Sequence, residues 1–310
     1  MSGPASRIEQ DRPPLSPVAD PRLSIIVVHF NTEDLTRACL ATLLPEARDM
    51  PVEVFLVDNG STDGSGLRLA EANPWLHFLR LDPGAGFGAS NNRAAERARG
   101  RLLLFLNSDT EVQNDCLRRV ADFIEGNPRV ALAGCRLVKG DGTLDSACRR
   151  SFPTPSVSLW KLLGLNSLFP NNRLFAAYDL RYMPRDLRYP VDSLVGAFLM
   201  ARREALPPGP FDEDYFFYGE DIDLCYTVKE RGWEVWYLGD VFMLHRKGGT
   251  TNKRAPWVIF HFHDSMRIFY NKHYRGRYSW WTTGLVFAGI YLRMVVLLLL
   301  NLLKHPRAAE

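Results

Sequence analysis

Four short apolar runs, three of them stopping at polar clusters and separated by stretches of helical spacing, constrain this chain more than any other feature. The first, residues 23–30 (Leu-Ser-Ile-Ile-Val-Val-His-Phe), is rich in β-branched side chains and lacks the in-out alternation of a half-exposed strand. Such a run suits a strand covered on both faces, as in a parallel sheet. Asn31, Thr32, Glu33 and Asp34 then offer capping side chains, and Leu35, Cys39, Leu40, Leu43 and Leu44 recur at helical spacing. Further runs at 52–57, 75–81 and 101–106, with a helical pattern over 89–98 between the last two, repeat the theme. Strands alternating with helices predict an α/β fold built on a doubly wound sheet flanked by helices.

In such sheets ligands bind beyond the carboxyl ends of the strands, and the first, second and fourth runs end in polar residues. Regular character weakens over 137–190, where Pro153, Pro155, Pro170, Pro184 and Pro190 interrupt it, and this stretch reads as an irregular excursion on the acceptor side. It returns as a strand-like run at 191–201, whose Gly196 and Ala197 permit close approach of another backbone or of a substrate. Residues 1–20, with Pro4, Pro13, Pro14 and Pro17 and no apolar core, predict a disordered tail and no secretory signal.

Composition narrows the function classes only a little. A formal charge of +3 over 310 residues carries no basic stripe of the sort that nucleic acid requires, so no nucleic-acid partner is expected. Five scattered cysteines without CxxC spacing predict a reducing, cytoplasmic setting.

Three polar clusters carry the candidate chemistry: Asp58-Asn59-Gly60-Ser61, Asn107-Ser108-Asp109-Thr110 and Gly219-Glu220-Asp221-Ile222-Asp223. Each alone reads equally well as a turn, a helix cap or a solvated acidic face. Together they read differently, because a carboxylate just after a buried strand faces the ligand crevice and can share a divalent cation with a diphosphate. Gly84, Gly86 and Gly88, followed by Ala89, Ser90, Asn91 and Asn92, add a glycine-rich loop opening a helix, suited to a phosphate or sugar. The spacing is not GxGxxG, which argues against a dinucleotide.

At these residues the sequence resembles the family 2 glycosyltransferases of GT-A fold, especially the bacterial rhamnosyltransferase-like members, over roughly residues 23–270. Four motifs carry the resemblance: 57–64 (Val-Asp-Asn-Gly-Ser-Thr-Asp-Gly), 86–92 (Gly-Phe-Gly-Ala-Ser-Asn-Asn), 106–110 (Leu-Asn-Ser-Asp-Thr), and 209–213 continuing through 218–225. It implies a GT-A domain over residues 21–270 with a mixed sheet, and places His29, Asn31, Asp58, Asn59, Gly86, Asn91 and Ser108 around the nucleotide. It further implies Mg²⁺ or Mn²⁺ on Asp109 with His245 as a further ligand, and Thr250 and Thr251 near phosphate. Asn107 stands where a full DXD motif has Asp, so one carboxylate fewer is available.

The reaction implied is one in-line displacement that inverts the anomeric carbon, with a dTDP- or UDP-sugar as donor, rhamnose foremost, and a saccharide or lipid-linked acceptor in surface polysaccharide assembly. Attack and departure take opposite faces of the sugar, so the base belongs on a different loop from the metal ligand. Asp221 matches that base, with Glu220 as its alternative or orienter, and Gly196, Ala197 and Asp223 lie on the acceptor side. A nucleotidyltransferase, or a catalytically silent sugar-binding module on the same fold, are the competing readings. The first wants a basic Gly-rich signature near the opening strand, and the joint presence of Asp109, Glu220, Asp221 and His245 speaks against the second.

Residues 271–310 form an apolar carboxyl-terminal segment. From 280 to 303 only Arg293 is charged, and Lys272, Arg275 and Arg277 precede the run while Lys304 and Arg307 follow it. The segment suits a helix lying on the cytoplasmic face of the membrane, a helix packed against the core or a second copy of the chain in a homodimer, or a span; Arg293 counts against the span.

Overall fold

Strands that are apolar on both faces must be covered on both faces, and the protein meets that demand with one ten-stranded mixed sheet and flanking helices. The computed structural model describes residues 8–12, 14, 17–113, 115–246 and 255–304. In chain order the first half comprises β1 (Ile8–Arg12), β2 (Leu23–His29), α1 (Glu33–Asp49), β3 (Val52–Asp58), α2 (Ser65–Ala72), β4 (His77–Leu81), α3 (Phe87–Ala95), β5 (Leu102–Asn107), β6 (Thr110–Glu111) and α4 (Cys116–Gly126). There follow β7 (Val130–Lys139), α5 (Pro155–Leu162), α6 (Leu165–Leu168), β8 (Arg188–Pro190), β9 (Phe198–Arg202), α7 (Glu220–Glu230), β10 (Glu234–His245), α8 (Pro256–His273) and α9 (Trp280–Lys304).

The sheet order is β1-β4-β3-β2-β5-β9-β7-β10-β6, with β8 also on β10. β2 lies between β3 and β5, parallel to both, in a register that pairs His29 with Asp58 and Val28 with Asn107. Three strand ends therefore finish at one level, and their loops open on the same side. β9 runs antiparallel to β5, pairing Leu106 with Phe198, so the residues just before β9 return to the carboxyl end of β5. β10 runs parallel to β7, and its last residue, His245, pairs with Thr110 of β6. That pairing carries a histidine to the loop holding Asp109.

Away from these ends the sheet is anchored by a buried carboxylate. Glu53 of β3 accepts from Ser24 Oγ at 2.6 Å and from the backbone amide of Arg99 at 2.5 Å. Burial opposes its charge, but His77, Ser24 and that amide outweigh the penalty and hold its pKa down to about 2.

Several expectations need correction. Residues 8–12 of the expected tail form β1, which closes the sheet edge antiparallel to β4; a short strand among prolines has little compositional signal of its own. The irregular excursion contains α5 and α6, the first capped by Thr154, whose Oγ1 accepts from Val157 N at 3.3 Å. The strand expected from residue 191 begins only at Phe198, because the preceding residues cross over the end of β5. The expected boundary at residue 270 falls inside α8, and the apolar segment proper starts at Trp280. All five cysteines are free and buried.

Candidate active site

Asp58 ends β3 with its side chain wholly buried. Ser61 N donates to Oδ1 at 2.9 Å and Arg80 Nη1 donates to Oδ2 at 3.1 Å. Gly66 of α2 makes room for it, since a Cβ there would lie 2.3 Å from Oδ2. Asn31, at φ 49°, ties this turn to the end of β2: its Oδ1 accepts from Thr62 N at 3.0 Å and its own amide donates to Ser61 Oγ at 3.1 Å.

His29 does not face the crevice. Its ring nitrogens lie 2.7 Å from Thr36 Oγ1 and 2.7 Å from Ser65 Oγ, and burial lowers its pKa. It is a neutral brace between β2, α1 and α2, so its side chain has no capacity left for a nucleotide. Asn59 and Asn91 fit that role better, because Oδ1 of each is buried without a hydrogen-bond partner. Asn92 instead clamps α3 to the 209–213 motif, donating to Phe211 O at 2.7 Å and accepting from Phe211 N at 2.9 Å. Gly86 opens α3 at φ 80°, and a Cβ there would meet Phe216 O at 2.9 Å, so the neighbour that demands glycine is protein backbone.

Beyond β5, Ser108 and Asp109 are buried in the β5–β6 turn. Asp109 Oδ1 stands 3.3 Å from His245 Nε2, and His245 Nδ1 stands 3.0 Å from Asp145 Oδ2. Burial disfavours a charged His245, but the two carboxylates prevail and raise its pKa to about 9. Without a metal, Nε2 carries a proton toward Asp109; were that proton displaced, with Asp145 keeping the one on Nδ1, Nε2 and the Asp109 carboxylate would be adjacent donors that fit a divalent cation. Among the described residues no cluster of three or more His, Cys, Asp or Glu forms a self-sufficient cage. Thr250 and Thr251 lie outside the described residues.

The second centre is the amino end of α7. Asp221 Oδ2 accepts from Arg150 Nη2 at 2.8 Å and from Gly196 N at 3.0 Å, while Oδ1 accepts from Ile222 N at 2.8 Å. Glu220 differs: burial first, then the charge of Asp221, raises its pKa to about 8, and its Oε2 has no partner. Gly196 and Ala197, expected to meet the acceptor, instead join the two centres. The amide of Gly196 holds Asp221, and the carbonyl of Ala197 accepts from Asn107 N at 3.1 Å. Asp223 is likewise no acceptor ligand, because Tyr215 Oη, Lys272 Nζ and His273 Nε2 converge on it at 3.1, 2.8 and 2.7 Å. A cavity of about 660 Å³ along the later turns of α7, lined by Phe152, Tyr226, Lys229, Tyr274 and Arg277 among others, includes neither Asp109 nor the Glu220–Asp221 pair.

Sequence reasoning missed Asp145, Arg150 and Arg80. Asp145 follows Asp141 and Gly142 as ordinary turn chemistry, Arg150 sits in the stretch without periodicity, and Arg80 is one of many surface-type cations. None carries a local signal.

Residues 24–206 match the family described as "Glycosyl transferase family 2", which is more than half of the chain and includes the loops after β2, β3 and β5. The chain belongs to glycosyl transferase family 2. Among relatives in the family, the N-acetylglucosaminyl-diphospho-decaprenol L-rhamnosyltransferase of Mycobacterium tuberculosis is 27% identical over 275 residues, covering 85% of this chain and 87% of the relative. The O-antigen biosynthesis protein RfbC of Myxococcus xanthus is 29% identical over 76% of this chain but only 18% of its own length. Among solved structures, a mannosyltransferase from Pyrobaculum calidifontis in complex with GDP-Man and Mn²⁺ aligns with a TM-score of 0.53 at 17% identity, covering 95% of this chain and 77% of that one. S. aureus TarS aligns at 0.52 with 17% identity, covering 91% and 72%. The fold is the GT-A fold of these family 2 and related glycosyltransferases.

Proposed function

We propose that this family 2 glycosyltransferase moves a sugar, rhamnose foremost, from a pyrimidine-diphosphate donor to a saccharide or lipid-linked acceptor at the cytoplasmic face of the membrane, with inversion. The observation that carries the reading is the Gly196–Ala197 dipeptide, which bonds Asp221 through one residue and the end of β5 through the next. It fixes the Asp109–His245 pair and the Glu220–Asp221 pair at two ends of one short link, as a displacement with charge handled on two sides requires.

In this reading Asn59 and Asn91 hold the nucleotide through Oδ1 atoms that have no protein partner, and Asp58 shapes the turn that presents Asn59. Asp109 and His245 hold Mg²⁺ or Mn²⁺, and Asp145 fixes the tautomer that leaves His245 Nε2 free. The cation, when bound, stabilises negative charge on the departing diphosphate. Asp221 takes the acceptor proton; its three donors hold it in one orientation. Glu220, protonated near neutral pH, donates to the acceptor or to Asp221, a division of labour between two carboxylates whose environments differ. The M. tuberculosis rhamnosyltransferase, whose name specifies rhamnose and a diphospho-decaprenol acceptor, supports the donor and acceptor classes.

The test is a thermal-shift titration of wild type and Asp109→Ala with UDP, dTDP, GDP and CDP, each with and without Mn²⁺. A Mn²⁺-dependent rise in melting temperature with a pyrimidine diphosphate, lost in the variant, is expected. No rise with any of the four would refute the donor site.

A further inference from the structure

Helix α9 exposes an apolar stripe and turns its few polar side chains inward. Trp281, Leu285, Leu292, Val295, Leu299 and Leu303 face outward, Leu303 with 78% of its surface exposed. The polar side chains Thr282, Thr283, Arg293 and Asn301 are half-buried on the opposite stripe, among apolar Val286, Phe287, Ile290 and Met294. Thr283 Oγ1 lies 3.1 Å from Tyr270 Oη of α8, and the Arg293 guanidinium lies 5.5 Å over the Phe262 ring of α8. Water selects the opposite arrangement, so the outward stripe is built for an apolar medium.

The charge pattern says which medium. Between Asp264 and Glu310 the chain has no acidic residue, while Arg275, Arg277, Lys304 and Arg307 bracket α9. An anionic bilayer complements such a run, whereas a second copy of the chain would bring the same uncompensated cations to the contact. Trp280 and Trp281, stacked with ring centroids 3.8 Å apart at the amino end of α9, suit the headgroup level.

Length alone would let α9 cross the membrane, since 25 residues extend about 37 Å. Its partner forbids this. α8 lies antiparallel along α9 and carries the Asp264–Arg267 pair, and its carboxyl end is fastened to the catalytic domain by Lys272 and His273. A crossing α9 would draw those charges toward hydrocarbon.

We infer that α9 lies in the plane of an anionic bilayer, its outward stripe in the acyl boundary and α8 above it on the aqueous side. The inference deepens the membrane-face location proposed above but is read without donor or metal, so either can fail alone.

The experiment uses the full chain with spin labels on Leu285→Cys, Leu292→Cys and Leu299→Cys, the five native cysteines being buried. Vesicles of phosphatidylcholine with and without phosphatidylglycerol are compared. The expected result is binding that needs phosphatidylglycerol and weakens with salt, with all three labels at one shallow depth. In a second variant, Leu292→Glu with Leu299→Glu, vesicle partition should fall at least about tenfold with thermal unfolding unchanged. A depth profile with Leu292→Cys far deeper than the other two would establish a span and overturn the inference. So would absent vesicle binding, a partition unaffected by the two glutamates, or a lipid-free dimer that those glutamates dissociate.

Discussion

Replacing Asp145 with Asn tests the assembly of the metal-side centre, because it removes one charge 3.0 Å from His245 Nδ1 and leaves the size of the side chain unchanged. The structure sets the scale. His245 is buried, yet Asp109 and Asp145 together move its pKa from an ordinary 6.5 to about 9, a preference for the imidazolium of about 3 kcal/mol. The same carboxylates act differently once a cation replaces the Nε2 proton: Asp109 turns to the cation, and Asp145 alone keeps the remaining proton on Nδ1. An outer partner of this kind accounts for about 10- to 100-fold in metal affinity, or about 1.4 to 2.7 kcal/mol. Calorimetric titration of Mn²⁺ into wild type, Asp145→Asn, His245→Ala and the double variant measures it. The Asn substitution should weaken Mn²⁺ binding by that factor in the wild-type background and by little when His245 is already Ala. Equal loss in both backgrounds, or no loss in a folded Asp145→Asn, would show that Asp145 does not act through His245.

Asp221→Asn should lower kcat about 10²- to 10⁴-fold while keeping the nucleotide-dependent thermal shift, and a retained rate would remove Asp221 as the base. Arg150→Met leaves Asp221 buried without its cation and should cost about 3 to 5 kcal/mol in urea unfolding; a cost below about 1 kcal/mol contradicts the pairing. Glu220 is an acid whose folded-state pKa, about 8, lies above its ordinary 4.5, so its contribution to stability is intact below about pH 4.5 and is lost progressively as pH rises to about 8. Glu220→Gln should abolish that loss, seen as a flatter melting temperature between about pH 5 and pH 8. Glu53 has the opposite sign: held at about 2, it stabilises the fold above about pH 4.5, and that contribution fades as pH falls through about 2. Glu53→Gln should therefore cost about 3 kcal/mol at neutral pH and little in strong acid.

The central strands were legible because β2, β3 and β5 are buried on both faces, and a strand in that setting has no choice but to be continuously apolar. The polar residues at their ends were legible for the same reason, as the first positions where the sheet stops. What sequence cannot carry is register. His245 reaches Asp109 only because the end of β10 pairs with β6, and nothing local to either segment encodes that pairing. His29 and Asp223 were misplaced for a related reason: a polar residue at a strand end or in a helix's first turn reads the same whether it faces a ligand or other protein groups. Thr36 and Ser65 decide the matter for His29, and α8 decides it for Asp223. The aromatic side chains of 211–218 divide, with Phe211 packed edge-on against Phe105 at 4.6 Å and Phe216 left 39% exposed.

Asp223 gathers Tyr215, Lys272 and His273 onto the same helical turn that carries Glu220 and Asp221. Glu220 and Asp221 are thereby tied to α8 through their own helical turn. Were α9 to lie on a bilayer as inferred, these ties would set the height of Asp221 above that surface, and an acceptor would have to carry its hydroxyl at that height.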